Sequence, residues 1–407
     1  MGKRVEFDWQ VQNGEGWEEV REPPPPPARW LSRRRLVLIS LLLVLVAGGL
    51  AVWRFFHGVE HLAKRDLQAV VELEIHSLRR ADKEIFLSLQ DVDDRMWYQR
   101  QQSYIDDVLA EPSATMWPGE VGIAAIEWAG DRAWVEVTHT WQGVTVKKVQ
   151  FYRLVDGQWK HTGPDERYWG QRRDVESEHL HFVYPERDEA TVKVLMEDGD
   201  QMYEKICRDF GIASSEWKLW VLVQPFSGSL FGYKAVDGPH VRLESPLLHG
   251  VRADGWLSPW MRAQLARSLA IGLLIPGSMG NEVALRGTLR HAIVNWEVSR
   301  LVPDMPREPV ACDQLTQAIE AGGLIPLEHV LWVHLYYGLR ADLLGAEAET
   351  LLEYIEDEYG ADRIPALWRR LNLPPSAEET VLSLFGISLE ELEAGWIAFV
   401  EARCAER

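Results

Sequence analysis

The chain has 407 residues, 46% of them hydrophobic, and a formal net charge of −19. This length allows two or three domains. The excess of acidic residues argues against nucleic acid as a partner, because phosphate binding needs a clustered basic surface. The three cysteines, Cys207, Cys312 and Cys404, are widely spaced and form no CxxC pair. They predict neither a disulfide framework nor a cysteine zinc site, and one long-range disulfide is left open.

The N-terminal tail, residues 1–35, is polar and contains five consecutive prolines, Pro23 to Pro27. Such a run forms a stiff polyproline II rod. We interpret it as a spacer, with a ligand for SH3- or WW-type domains as the alternative. The tail is expected to be cytoplasmic because of the segment that follows it.

An uncharged apolar run extends from Leu36 to Trp53. As a helix it would reach about 27 Å, close to the hydrocarbon thickness of a bilayer. The sequence therefore predicts a transmembrane helix at 36–56 in contact with the lipid bilayer. A cleaved signal peptide fits less well, since no small-residue cleavage site follows. Arginines before the run favour a single-pass protein of the cell membrane, with the N-terminus cytoplasmic and the C-terminal domains outside.

Residues 57–172 predict a first outer domain in which helices precede a meander of strands. Apolar positions recur at three- and four-residue steps over 57–110. Alternation with period two then indicates four strands, IAAIEW, RAWVEVTHTW, VTVKKVQFYRLV and QWKHT, and the Asp156-Gly157 pair predicts a hairpin turn between the last two. Helices followed by antiparallel strands form an α+β unit. The stretch FYRLVDGQWKHTGPDERYWG, Phe151 to Gly170, resembles the last hairpin and exit of the NTF2-like superfamily. The resemblance implies a cone-shaped domain with a concave cavity, which does not by itself choose a function.

Four residues could line such a cavity: His139, Trp141, Trp159 and His161. The alternative is that they are ordinary packed residues of the strands. A separate group of carboxylates, Asp91, Asp93 and Asp94, could suggest a metal loop. A helix N-cap or a solvated turn is the simpler interpretation of that group.

Residues 173–407 predict a second, mainly helical domain with a small N-terminal sheet. A strand at HLHFVYPERD, a helix at 188–210 and a buried strand at WKLWVLVQP come first, and short strands near SLFGYKA and HVRLES precede the helices. Within the first strand, His179 and His181 are two residues apart. That spacing places both on one side of a strand, where they could bind a metal or serve only in packing.

This order of elements resembles the gluzincin, or peptidase MA-like, metallopeptidases. WMRAQLARSLAIGLL lies where those enzymes carry an HExxH helix, and LRHAIVNW lies where their third zinc ligand is found. In HExxH, two histidines on one helix face bind zinc and the glutamate activates the metal-bound water. The resemblance places Arg267 and Ile271 at the histidine positions, Ser268 at the glutamate position and His291 at the third-ligand position.

These four residues form a vestigial zinc site at most. Arginine is a permanent cation, isoleucine has no lone pair, and serine is not a useful base without a partner. No HExxH or HxxEH occurs in the sequence. We therefore predict no catalytic residue, no metal and no cofactor in a catalytically dead, metallopeptidase-like domain.

The predicted fold is thus α+β, with one N-terminal transmembrane helix, an NTF2-like cone and a gluzincin-like domain. The predicted function is binding or scaffolding at the outer membrane face by a pseudo-peptidase, whose groove takes a peptide or protein ligand. Two alternatives remain open. One is an enzyme with its active site in the NTF2-like cavity, and the other is a transmembrane signalling anchor.

Overall fold

A computed structural model describes residues 33–110, 121–141, 144–213, 218–225, 240–252, 254–275, 289–305, 311–331, 340–371 and 376–405. The proline run and the predicted strand near SLFGYKA lie outside these ranges. The chain divides into two compact units, Met1–Lys64 and Arg65–Arg407.

The first helix, α1 (Arg33–Arg79), is a continuous element of 47 residues. Residues 38–49 of this helix are exposed. Among the described residues, no helix combines the length and the apolar character that a membrane crossing needs. The predicted transmembrane helix at 36–56 is therefore wrong, as is the single-pass membrane location with a cytoplasmic N-terminus. The bilayer contact and the signalling-anchor alternative stay predictions.

Three helices precede an antiparallel sheet whose strand order is the order of the sequence. After α1, the elements are α2 (Lys83–Ser88), α3 (Arg95–Ala110), β1 (Val121–Ala129), β2 (Arg132–Trp141), β3 (Val144–Val155) and β4 (Gln158–Thr162). Asp156 and Gly157, which join β3 to β4, have φ of 50° and 78°. Positive φ at both residues is what a two-residue type I′ hairpin turn requires, and an Asp-Gly pair favours that turn.

The C-terminal part of α1 packs against one face of this sheet. Leu67 and Val71, one helical turn apart, are buried together with Val135 and Tyr152. Residues four apart share a helix face, and alternate residues share a sheet face, so these four meet in one layer. Glu74 continues the same stripe of α1 and is also buried. The packing therefore places a carboxylate over the sheet.

A second sheet follows, with β5 and β6 antiparallel and β6, β7 and β8 parallel. Its elements are β5 (Arg172–Glu176), β6 (Leu180–Pro185), α4 (Glu189–Phe210), β7 (Leu219–Gln224) and β8 (His240–Glu244). Helix α4 provides the crossover that parallel strands need. A Cβ atom at Gly199 of α4 would lie 2.7 Å from Leu180 Cδ1. The helix and the strand are therefore in close contact.

Helices make up most of the remaining chain and enclose the largest hydrophobic core. The elements are α5 (Pro246–His249), β9 (Val251–Arg252), α6 (Pro259–Leu274), α7 (Leu289–Leu301), α8 (Cys312–Glu320), α9 (Leu327–Leu331), α10 (Ala341–Tyr359), α11 (Arg363–Arg370), α12 (Ala377–Phe385) and α13 (Leu389–Ala405). Ser258 caps α6 by accepting a hydrogen bond from the Met261 N–H. Cys312 and Cys404 form a disulfide that joins α8 to α13. Cys207 is a buried free thiol.

The two sheets belong to one compact unit. The short strand β9 pairs with β3 through Val251 and Arg252, so a segment from the second half of the chain extends the first sheet. Arg187 adds an ion pair to Glu127 of β1 at 2.7 Å. The fold is α+β, as predicted, and the domain boundary between residues 172 and 173 stays a prediction.

Candidate functional site

Two of the four positions predicted to be a vestigial zinc site come together. Arg267 Nη1 on α6 lies 3.3 Å from His291 Nε2 and 2.8 Å from Asn295 Oδ1, both on α7. Because a guanidinium can only donate, the His291 nitrogen and the Asn295 oxygen are the acceptors. Asn295 in turn donates from Nδ2 to Glu349 of α10 at 2.8 Å. A chain of polar contacts thus holds the guanidinium between three helices.

The other two positions face elsewhere. Ser268 Oγ donates to the backbone carbonyl of Arg242 on β8 at 3.1 Å. Ile271 is 1% exposed and belongs to the hydrophobic core. Residues 226–239, 276–288 and 332–339 lie outside the described ranges. The groove that a peptidase-like domain would have is therefore still a prediction.

A second polar group lies on the face of the first sheet that α1 covers. His161 of β4 and Glu74 of α1 are both buried, and His161 Nδ1 is 2.7 Å from Glu74 Oε1. Burial acts to raise the pKa of Glu74, but attraction and hydrogen bonding to His161, together with the charge of Lys148, lower it below its usual value. The carboxylate is therefore ionised at neutral pH. His161 Nδ1 then carries the proton that the bond requires.

The surroundings of this pair hold the imidazole in place. The Tyr152 ring stacks on His161 with centroids 5.0 Å apart, and the Trp97 ring lies at 4.8 Å. The Gln90 amide donates to Glu74 at 3.5 Å and accepts from the Trp97 indole at 3.1 Å. Among the described residues, His161 Nε2 makes no hydrogen bond. The pair therefore resembles an oriented base with one nitrogen left for a substrate or a proton.

Lys148 and His139 extend the same face. Lys148 and Tyr152 are four residues apart on β3, so their side chains lie on the same face of the sheet. His139 of β2 lies opposite Val146, which is two residues from Lys148, so its side chain is on that face as well. Burial lowers the pKa of Lys148, although Glu74 opposes the effect. Burial, and then the charge of Lys148, lowers the pKa of His139 to about 4. His139 is therefore neutral at pH 7.

The remaining predicted cavity residues differ in their surroundings. Trp159 is 8% exposed and lies against Trp128 with ring centroids 5.5 Å apart. Trp141 is the last residue of β2, and the structure does not describe its side chain. The aspartates before α3 serve in structure, since Asp91 and Asp93 both bind Arg153, at 2.7 and 2.8 Å.

Sequence reasoning missed Glu74, although a signal was present. The apolar stripe of α1 places Leu67, Val71 and Glu74 at positions i, i+4 and i+7, so an acidic residue occurs where the pattern calls for an apolar one. A buried carboxylate needs a partner, and a strand histidine is a suitable one. The strand that supplies it, β4, is 87 residues away from Glu74 in sequence.

His179, just before β6, and His181, within β6, were predicted as a possible metal-binding pair, but their rings pack against different partners. His179 stacks on Tyr203 of α4 with centroids 4.7 Å apart, and His181 stacks on Trp220 of β7 at 3.8 Å. The two imidazoles therefore do not form one site. Each instead faces carboxylates of its own: Glu178 and Glu204 for His179, and Asp174 and Glu176 for His181.

Comparisons with known proteins find no relative of this chain. No family model matches the chain, and neither a curated protein nor a solved structure matches it significantly. The two polar groups, on α6–α7 and on the sheet face that α1 covers, are therefore the basis on which a function can be argued.

Proposed function

We propose that this chain is a binding protein in which residues 173–407 keep the layout of a gluzincin peptidase without its hydrolytic centre. The observation that carries the proposal is the contact of Arg267 with His291 and Asn295, at 3.3 and 2.8 Å. In the proposed alignment, Arg267 stands at the first histidine of the zinc helix and His291 at the third ligand. Their proximity supports that alignment.

The donor set argues against hydrolysis. A zinc peptidase needs three protein ligands and a carboxylate beside the metal-bound water. The four aligned positions offer one imidazole, one hydroxyl, one aliphatic side chain and one guanidinium. The guanidinium is a permanent cation and repels a divalent metal. It would supply a fixed positive charge where the enzymes hold a metal ion.

The same guanidinium suits a peptide ligand. Arginine has five N–H donors, and among the described residues Arg267 uses only Nη1, toward His291 and Asn295. The side chain is half-buried, so its other donors can reach a bound carbonyl or carboxylate. We infer a scaffolding role in which an extended peptide or protein segment is held by this surface and left uncut.

Fluorescein-labelled casein tests this proposal with the full chain. We expect its fluorescence anisotropy to rise on addition of the protein, and its gel pattern to stay intact after prolonged incubation with Zn²⁺. Arg267→Ala should weaken binding by about tenfold, as expected for a charge-assisted hydrogen bond. Arg262→Ala, on the same helix but paired with Asp198 at 2.8 Å, is the matched control. Casein fragments that form in the presence of Zn²⁺, and that do not form when a chelator is present from the start, would contradict the proposal.

A second candidate function rests on the Glu74–His161 contact of 2.7 Å. A carboxylate that orients an imidazole through Nδ1 leaves Nε2 to take or give a proton, which is the arrangement of general acid–base catalysis. Lys148 supplies a cation on the same sheet face, and among the described residues it makes no hydrogen bond or ion pair. We propose a small carboxylate or phosphate as the substrate of this site.

A thermal-shift panel of low-molecular-weight carboxylates and phosphates tests the second candidate. A true ligand should raise the melting temperature of the wild-type protein and of Lys147→Met, whose side chain pairs with Glu136 at 3.0 Å. The shift should vanish in Lys148→Met. Equal shifts in both variants would contradict a site at Lys148.

A further inference from the structure

Three possible metal ligands meet where β6 begins and α4 passes over it. Donor atoms of Glu178, His179 and Glu204 all lie within 4.8 Å of one another. His179 Nε2 is 3.5 Å from a Glu204 oxygen and 4.0 Å from a Glu178 oxygen. One imidazole and two carboxylates are therefore gathered from two separate segments of the chain.

The imidazole nitrogen is the feature that points to a ligand. His179 Nε2 is buried, and it has no hydrogen-bond partner among the described residues. The ring is stacked on Tyr203 with an interplanar angle of 12°, which keeps Nε2 directed at the two carboxylates. A buried polar atom without a hydrogen bond is uncommon and costly. A cation between Nε2 and the carboxylates would satisfy it.

The turn that carries two of the ligands is fixed by another carboxylate. Asp200 Oδ1 accepts hydrogen bonds from Ser177 Oγ at 2.8 Å and from the His179 N–H at 3.1 Å. Its Oδ2 accepts one from the Glu178 N–H at 3.2 Å. Outer groups of this kind orient metal ligands in advance of binding. The backbone of the site is therefore held by α4, the helix that also supplies Glu204.

We propose that Glu178, His179 and Glu204 bind one Zn²⁺ ion, with water completing the coordination. Bond lengths of about 2.0–2.1 Å place neighbouring ligands of a tetrahedral zinc about 3.3 Å apart. The observed separations of 3.5 and 4.0 Å are near that value. Both glutamates are exposed, so small side-chain rotations can close the site. An imidazole ligand favours zinc over calcium or magnesium.

His181, two residues further along and within β6, provides a matched control. It is 14% exposed, against 15% for His179, and it also faces two carboxylates. However, Glu176 lies at Nδ1, 3.2 Å away, whereas Asp174 lies at Nε2, 3.7 Å away. Glu176 is also held by Lys218 at 2.7 Å. The two carboxylates lie beside different nitrogens of the His181 ring. One ion therefore cannot bind the imidazole and both carboxylates of His181 at once.

Isothermal titration of the metal-free full chain with Zn²⁺ alone tests the site. We expect one tight ion per chain, and an affinity reduced by at least about tenfold in His179→Ala and in Glu204→Gln. His181→Ala should stay within about twofold of the wild type, as for a change away from the ligands. Glu204 is exposed, so its variant separates ligand loss from misfolding. Circular dichroism of each variant provides the check on folding.

Cobalt gives an independent signature. Co²⁺ in place of Zn²⁺ should produce visible absorption bands in the wild type and in His181→Ala, and these bands should be lost in His179→Ala. The proposal is overturned if the wild type binds no Zn²⁺, or if His179→Ala binds it as tightly as the wild type. Peptide hydrolysis is not a readout here, so the outcome is independent of the proposed function.

Discussion

Replacing Glu347 by glutamine should make the protein more stable at pH 8. Glu347, on α10, is fully buried, and its Oε1 accepts a hydrogen bond from the Ile325 N–H at 3.0 Å. Its Oε2 has no partner among the described residues. Burial raises the pKa of this carboxyl from 4.5 to about 7, although the bond from Ile325 acts to lower it. The folded protein therefore holds a proton that the unfolded chain releases.

The rise from 4.5 to about 7 corresponds to roughly 3 kcal/mol. Between these two pH values the folded state binds more protons than the unfolded state, so the free energy of unfolding falls as the pH rises. The penalty is absent below the lower value and complete above the upper one. Glutamine keeps the acceptor for Ile325 and stays neutral throughout. Glu347→Gln should therefore gain about 2–3 kcal/mol at pH 8 and less than about 1 kcal/mol at pH 5.

Urea denaturation followed by circular dichroism at pH 5, 6.5 and 8 measures these differences. Glu358→Gln, an exposed position on the same helix, is the control and should change stability by no more than about 0.5 kcal/mol at each pH. A variant that is less stable than the wild type at pH 8 would refute the reasoning. So would a difference that does not grow with pH.

Three further substitutions test the packing. Cys404→Ser should lower the free energy of unfolding by about 4 kcal/mol, because the disulfide with Cys312 spans 92 residues; denaturation with and without reductant measures it. Gly199→Ala should cost about 1–2 kcal/mol in urea denaturation, since its Cβ would lie 2.7 Å from Leu180. Arg267→Met should cost about 1–3 kcal/mol in the same assay, because it removes the donor of two hydrogen bonds to α7.

Local chemistry predicted much of the fold. The Asp156-Gly157 pair located a hairpin, and alternation located β2 and β3 with their observed bounds. Strand β5 was missed because four of its five residues are exposed, so it carries no apolar alternation. The break after α1 was missed as well, since it depends on Ala81 at a φ of 54°, a conformation that alanine rarely adopts.

The candidate sites depend on contacts that spacing alone does not reveal. His161 was singled out in the sequence, but its partner Glu74 is 87 residues away. His179 was paired with His181, whereas the structure gives it Glu204, which comes from a helix laid across the strand. The apolar run at 36–53 predicted a transmembrane helix from hydropathy alone, and that prediction was wrong.

The proposal that residues 173–407 have no hydrolytic centre is tested most directly with a pool of internally quenched fluorescent peptides. The full chain, loaded with Zn²⁺, is incubated with the pool in the presence and absence of a chelator. The account predicts no increase in fluorescence above the protein-free control under either condition. Cleavage that requires zinc and is abolished by the chelator would contradict it, whether or not that cleavage persists in His179→Ala.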